Sequence, residues 1–452
     1  MKQPDLEIIL QKANKAFDRS APREALEHLW KALKISPDHP LILLRIGIAF
    51  HLMTRLDDAE RFYIKSISCS PSPGDAYNNL GKLYLEMGDN SKAVVAFEKS
   101  SSLLPNSPIP LAAMATALHR MNKIQEAEKV CRHTIGKFPH FAEAHHNLSL
   151  LLLLQGKYVE GWKEYEWRWE TNRHPFIKRE FSKPAWTGCP IPGLRLLIHC
   201  EQGLGDTIQF SRYLHTVSVV SRARLVVACH PSLHSLLSIM NSELILTEPN
   251  KNQATFDYYI SLLSLPSLFK TTVENIPFPE GYLRSPNMKY NDWNRLCDQK
   301  NKYLNVGICW SGNQFPDPNR SCPFEYIQCL LEIDGINFFS LQFGNASKQN
   351  KTRMVDLTPL IHDFSDTAAL IDQLDLVISI DTAVAHLAGA LGKRTWVLLP
   401  FVPDWRWGTA GDTCLWYKNI RLFRQKNPAG WSELMNRVKD ALLGIPLLNH
   451  AQ

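Results

Sequence analysis

Proline recurs every 34 residues, at Pro37, Pro71, Pro105 and Pro139, and alanine keeps the same interval at Ala25, Ala59, Ala93 and Ala127. Two independent rows in one register define a structural repeat. A unit of this length cannot bury its apolar face until it is stacked on a neighbour. The period sets units starting near residues 6, 40, 74, 108 and 142, with a small residue at each eighth position: Ala13, Gly47, Gly81, Ala115 and Ser149. Small side chains there let two antiparallel helices approach closely. The third unit is the clearest, with Leu80, Gly81, Tyr84, an interhelix turn at Gly88, Ala93, Phe97 and Pro105.

These positions resemble the tetratricopeptide repeat over about residues 6–141, with an altered fifth unit to about 170. The resemblance implies an all-α solenoid over 1–170 whose groove holds an extended peptide or another protein. In the fifth unit Gly161 replaces the packing alanine and no proline closes the repeat. Its second helix reads Trp162-Lys-Glu-Tyr-Glu-Trp-Arg-Trp169. Three tryptophans suit either a ligand surface or a seam that caps the solenoid against the next domain. The cap that a last repeat requires favours the seam.

The repeat stops near residue 170, and the remainder of the 452 residues must hold any chemistry. Hydrophobic residues at 45% and charged ones at 21% are ordinary globular values, which sets aside disorder and fibrous classes. A net charge of +6 without a dense Lys/Arg stripe argues against a nucleic-acid partner. The ten cysteines form no Cys-x-x-Cys pair and mostly lie in apolar runs, as reduced buried thiols do. Neither a signal-like N-terminus nor a membrane-length apolar run is present, so the expectation is a cytoplasmic chain with no transmembrane segment.

After a proline-rich stretch at 184–192, the apolar strand 194–200 runs into Glu201-Gln-Gly-Leu-Gly-Asp206 and a helix beginning near Thr207. Strand, glycine turn and helix open a Rossmann-type unit. Further strands are expected at 224–228, 244–247 and 256–260, with a helix at 232–240. A polar segment follows at 285–302. A second series then gives strands at 304–309, 337–342, 374–380 and 394–399 and a last amphipathic helix at 429–443. The spacing predicts two doubly wound α/β domains, 190–288 and 300–445, with a ligand cleft at the carboxyl ends of their strands.

Three loops after strands carry candidate chemistry. In Gly203-Leu-Gly-Asp206 a dinucleotide fingerprint would need glycine at Ile208, which disfavours NAD. The glycines instead suit close backbone approach to a ligand, and Asp206 is either a reactive carboxylate or a helix cap. Trp310-Ser-Gly-Asn313 and Asn319-Arg-Ser321 offer amides, a hydroxyl and a cation to phosphate oxygens, or form an ordinary surface loop. In Asp381-Thr-Ala-Val-Ala-His386 a buried strand enters a small-residue helix whose N-terminal amides suit a diphosphate. His386 is open to both a ligand role and a core role. Gly389-Ala-Leu-Gly-Lys393 is not a P-loop, because Arg394 stands where Ser or Thr is required.

Together these loops resemble the heptosyltransferases, glycosyltransferase family 9, within the GT-B architecture of two Rossmann-like domains. The resemblance covers about residues 190–445 and rests on Gly205-Asp206 and on Asp381-Thr-Ala-Val-Ala-His386. It implies Asp206 as general base and the segment Asp381, Thr382, Ala383 and His386 as the site for the donor's diphosphate and sugar. Arg320 stands near the family's phosphate-binding lysine, and Ala383 replaces the motif's glycine. The layout is also similar to that of the O-linked N-acetylglucosamine transferases, and the resemblance suggests a bacterial chain.

The expected activity is an inverting, metal-independent transfer of a sugar from a nucleoside diphosphate sugar to a protein or glycan. Gly205, Ser311, Gly312 and Arg320 would hold the donor without a cofactor, and Gln202 and Gln342 would contact its sugar or base. The chain contains no Asp-x-Asp for a divalent ion. Trp405-Arg-Trp407 either lines the nucleotide pocket or is a packed loop. The alternatives are a non-catalytic interaction scaffold with a degenerate or nucleotide-sugar-sensing domain, and an oxidoreductase.

Overall fold

The computed structural model describes residues 3–171, 179, 181–249, 255–286, 303–313, 317–344, 346 and 353–446. It divides into two compact units, Met1–Leu151 and Leu152–Gln452. The boundaries expected at 288 and 300, and Cys297, lie outside the described residues.

The first unit is a run of helix hairpins. Its helices are α1 (Gln3–Asp18), α2 (Pro22–Ile35), α3 (Pro40–Leu52), α4 (Leu56–Cys69), α5 (Gly74–Glu86), α6 (Asn90–Leu103), α7 (Ile109–Arg120) and α8 (Ile124–Lys137), with α9 (Ala142–Leu154) starting the next repeat. Ala25, Ala59, Ala93 and Ala127 are fully buried. Each proline of the row follows its helix by two residues, where a residue that cannot continue a helix belongs.

Two complementary rules build each hairpin. A Cβ added at Gly47 would lie 2.5 Å from the Tyr63 ring, and one at Gly81 would lie 2.6 Å from Phe97. Where the first helix carries alanine, at Ala13 and Ala115, the residue sixteen later is Leu29 or Cys131, both buried. Ring and missing side chain thus trade volume across one interface. The turn rule is backbone. Ser20, Thr54, Gly88 and Asn122, again 34 apart, all have positive φ, between 56° and 80°. Beyond three of them the chain bonds back six-to-one, Ala21 N to Ala16 O at 2.9 Å, Arg55 N to Phe50 O at 3.0 Å and Lys123 N to Leu118 O at 2.9 Å. That bond closes a left-handed helix end. Ser66 and Ser100, one period apart, donate to the carbonyls of Pro40 and Gly74, each at 2.8 Å.

The second unit begins with α10 (Tyr158–Tyr165) and a 3-10 turn at Glu166–Glu170, followed by two parallel sheets. The first has the order β3-β2-β1-β4, with β1 at Arg195–His199, β2 at Arg224–Ala228, β3 at Ile245–Thr247 and β4 at Tyr258–Ser261. The second has the order β10-β9-β8-β5-β6-β7: β5 is Leu304–Cys309, β6 Ile336–Ser340, β7 Val355–Asp356, β8 Leu376–Ile380, β9 Thr395–Leu399 and β10 Ile420–Arg424. Every ladder among these strands is parallel. The direction of winding reverses between β1 and β4 and between β5 and β8. Ligands of open α/β sheets bind beyond the carboxyl ends of strands at such reversals.

Some details differ from the sequence reading. The helix expected near Thr207 starts at Leu204, because Gly203 is the N-cap and the Asp206 carboxylate accepts from its amide at 2.9 Å. The edge strands β7 and β10 were not anticipated. The first is only two residues long, and in the second Arg421 and Arg424 break up the apolar run. The proline-rich stretch is no free linker: Trp186 N donates to Tyr259 O at 2.8 Å and Tyr259 N to Pro184 O at 3.2 Å, extending the edge of β4.

Candidate active site

The two loops at the winding reversals meet. The helix Leu204–Phe210 follows β1, the helix Ala383–Ala390 follows β8, and the two pack at Gly205. A Cβ on Gly205 would lie 3.0 Å from His386 Cδ2 and 3.4 Å from Ala383 Cα. The expectation that this glycine admits a ligand is therefore corrected. It admits the other helix, and the alanine replacing the motif's glycine lies at that crossing.

Asp206 is engaged through both oxygens. Oδ2 takes the Gly203 amide, and Oδ1 is paired with Arg406 Nη2. Arg406 also binds Asp404 Oδ1 through Nη1 at 2.8 Å and donates from Nε to Gln209 Oε1 at 2.6 Å. Burial raises the pKa of Asp206, Arg406 opposes that shift, and Asp404 adds to it. Burial works against the charge on Arg406, yet Asp404 and Asp206 outweigh it and hold the guanidinium firmly protonated. Asp206 thus serves as the helix cap that the sequence allowed, and its other oxygen faces a cation that sequence reasoning did not single out. The spacing Asp404-x-Arg406 was the available signal: Asp404 Oδ1 accepts the Arg406 amide at 3.0 Å, a turn that short polar residues make locally.

Asp381 follows β8. Its pKa is raised, to about 6, by burial first and then by Asp404, against the pull of Arg406, Arg320 and the Trp407 indole. Thr382 is the N-cap of the Ala383–Ala390 helix but makes no side-chain cap. Its Oγ1 lies 3.0 Å from Ser379 Oγ and 3.8 Å from Cys309 Sγ. The first-turn amides therefore have no carboxylate or hydroxyl cap, and the helix dipole there favours negative charge. His386 is buried, with Nδ1 3.1 Å from Tyr417 Oη and Nε2 3.8 Å from Asp381 Oδ1. Burial, then Arg406, Arg212 and Arg320, lower its pKa well below the usual imidazole value.

The β5 loop is closed on itself. Gln342 Oε1 accepts from Trp310 N at 3.0 Å and Ser311 N at 2.7 Å, while Nε2 donates to the carbonyls of Ser311 and Phe343. Gly312 N donates to Ser321 Oγ at 3.1 Å, and Arg320 clasps the Asn313 carbonyl at 3.0 and 3.2 Å. Gln342 thus braces the loop in this structure rather than reaching outward, and the amides of Ser311 and Gly312 already have partners. Gln202 donates to Tyr165 Oη at 2.6 Å.

The aromatic segment packs within the second unit. Trp162 is buried against Tyr158, Tyr165, Phe210, Trp405 and Trp416. All of these rings belong to the second unit, so Trp162 is part of that unit's own core. A Cβ on Gly161 would lie 2.8 Å from Leu153, which accounts for the lost alanine. Arg168, fully buried, binds Glu166 at 2.8 Å, Glu201 at 3.1 Å and Ser264 at 2.8 Å, tying the 3-10 turn to the start of the Asp206 loop.

The tetratricopeptide repeat profile matches residues 62–95. Residues 345–399 match glycosyltransferase family 9 (heptosyltransferase). The chain thus joins tetratricopeptide repeats to a glycosyltransferase family 9-like segment, and a glycosyltransferase-type role follows in that general sense. The second match contains the Asp381–His386 segment but neither Asp206 nor Arg406. Protein FlbA of Caulobacter vibrioides is 24% identical over 94% of this chain and 76% of its own length. Anaphase-promoting complex subunit 6 of Dictyostelium discoideum is 24% identical over 26% of this chain and 14% of its own. Among solved structures, MamA is similar over 34% of this chain and 91% of its own at 19% identity and a TM-score of 0.32. PilF of Pseudomonas aeruginosa is similar over 36% and 74% at 18% identity and a TM-score of 0.34. Among the described residues no helix is long and apolar enough to cross a membrane.

Proposed function

We propose that this chain is an inverting, metal-independent glycosyltransferase of GT-B type, working on a nucleoside diphosphate sugar. The observation that carries the reading is the meeting of Asp206 and the Asp381–His386 segment at the two winding reversals, where α/β sheets bind their ligands. Asp206 takes the proton of an acceptor hydroxyl as that oxygen bonds to the anomeric carbon. The bond from this carbon to the phosphate oxygen breaks, and the nucleoside diphosphate leaves with the electron pair. The uncapped amides at Ala383 and the Arg320 guanidinium offset its developing charge. Asp206 acts only after Arg406 has released Oδ1. The repeat groove recruits a protein or peptide acceptor, and the nine described cysteines, all free, suit a cytoplasmic site.

Thermal shift with a panel of nucleoside diphosphate sugars tests the reading, since a ligand bound only by the folded state raises the melting temperature. At least one member should stabilise the protein, and Asp206→Asn should abolish transfer while retaining that shift. No stabilisation by any member removes the assignment. The engaged state of Asp206 favours a second reading, a non-catalytic nucleotide-sugar sensor with a scaffold role. It predicts the shift with no transfer in the native chain.

A further inference from the structure

The His386 ring is held at one face, at its Cδ2 edge and at Nδ1. Trp407 stacks on one face, with ring centroids 5.3 Å apart and planes at 20°, and the absent side chain of Gly205 makes room for Cδ2. Tyr417 Oη meets Nδ1 at 3.1 Å, and Asp381 Oδ1 lies 3.8 Å from Nε2. A phenol and an imidazole at this distance can share a proton in either sense, so the bond alone leaves the tautomer open. The carboxylate biases it, and a phenol that donates to Nδ1 adds to the same bias. With the ring proton on Nδ1, the Nε2 lone pair would face an anion. With the proton on Nε2, an N–H faces it. Tyr417 is then the donor.

Arg212 strengthens that donor. The guanidinium is fully buried, lies 4.7 Å over the Tyr417 ring and 4.8 Å over that of Tyr282, and hydrogen-bonds the carbonyls of Gln209, Pro277 and Trp416. A cation beside a phenol makes its proton more available to an acceptor. Tyr282 Oη is committed to the carbonyls of Ile208 and Gln209, at 2.9 and 3.1 Å.

We propose that Tyr417 is a positioning residue whose hydroxyl donates to His386 Nδ1 and fixes the neutral ring as the tautomer with its proton on Nε2. Burial first, and then Arg406, Arg212 and Arg320, disfavour a second proton on the ring. Resting on the transferase reading, the consequence concerns the ligand. A neutral N–H beside a carboxylate forms a donor–acceptor pair for the hydroxyls of a sugar ring, not for a phosphate. The phosphates are left to the helix amides and Arg320.

The test is nitrogen NMR of the full chain labelled at histidine, with His386 assigned by its loss in His386→Gln. At pH 7 the native protein should give one neutral tautomer protonated at Nε2. Tyr417→Phe should shift the population at least several-fold toward Nδ1 protonation. A native ring protonated at Nδ1, at both nitrogens, or equally mixed overturns the proposal, as does an unchanged tautomer in Tyr417→Phe. If that variant does not fold, the native spectrum still decides. The readout needs no ligand, so the proposal stands if these spectra are as expected while no nucleotide sugar binds, and the functional reading then falls alone.

Discussion

The first unit and the second bury different things. Between Met1 and Leu151 the core is made by one arrangement used repeatedly, with alanines, glycines and rings at fixed intervals. From Leu152 onward, among the described residues, three arginines, Arg168, Arg212 and Arg406, are buried among aromatic rings, and two of them bind carboxylates. A repeat gains stability from shape matched to shape between near neighbours. Buried charge gains little net stability, because desolvation consumes most of the attraction. It punishes any disturbance, however, and leaves groups whose protonation can be used. The chemistry proposed above uses groups from the second kind of interior.

The comparison breaks first at Arg168. Arg168→Met leaves Glu201, itself buried, without its cation, and removal of one partner from such a pair costs about 3–5 kcal/mol. Urea unfolding followed by tryptophan emission reports on this unit, since eleven of the twelve tryptophans lie beyond residue 151. Adding Glu201→Gln should recover part of the loss. A change below about 1 kcal/mol would mean that the pair is incidental.

The steric rule of the repeats comes next. Gly81→Ala drives a methyl to 2.6 Å from Phe97 and should cost about 1–3 kcal/mol, read by loss of helical circular dichroism in urea. The double variant with Phe97→Leu should recover much of it. No recovery would show that Gly81 is needed for some reason other than the ring.

These contrasts also explain what the sequence made legible. The helix starts at 40, 74 and 142 and the fully buried alanine row were readable, because each repeat restates the same local rule. β1, β2, β5, β8 and β9 were readable as apolar runs. Arg406 was not, because its meaning lies in Asp206, 200 residues earlier, and no periodicity links them. Tyr417 was hidden for the same reason, its partner His386 being 31 residues away on another element. Gly205 was legible as a close approach but not as to what approaches, since a glycine records the lack of a side chain and not the neighbour's identity.

The buried acid of the second unit gives the next effect. Asp381 has its pKa raised, to about 6 from 3.8, so between those values the folded chain holds a proton there that the unfolded chain has released. Its contribution to stability is fully present below the unfolded value and is lost as pH rises through the folded one. Asp381→Asn, which never ionises, should therefore be more stable than the native protein at pH 7, by on the order of 1–2 kcal/mol, and should converge with it near pH 4. Equal stabilities at both values would place the carboxylate in a far wetter setting.

Asp89 supplies the opposite slope from the first unit. It precedes α6, and its Oδ1 accepts the Lys92 amide at 3.1 Å, the contact expected of an N-cap aspartate. That backbone bond, with the Lys92 ammonium beside it, lowers its pKa. A carboxylate with a depressed pKa contributes stability above its unfolded value and loses it as pH falls through the folded one. Asp89→Ala should cost about 1 kcal/mol at pH 7, the usual worth of such a cap, and less in acid. Asp89→Asn should cost less than alanine, because the amide oxygen can still accept from Lys92 N, and its smaller deficit should likewise fade in acid, where the native carboxyl is also neutral. If alanine and asparagine are equally damaging, the charge matters more than the cap. The first unit would then depend on an electrostatic contact as the second does, and the division between shape and charge would be less sharp than the buried residues indicate.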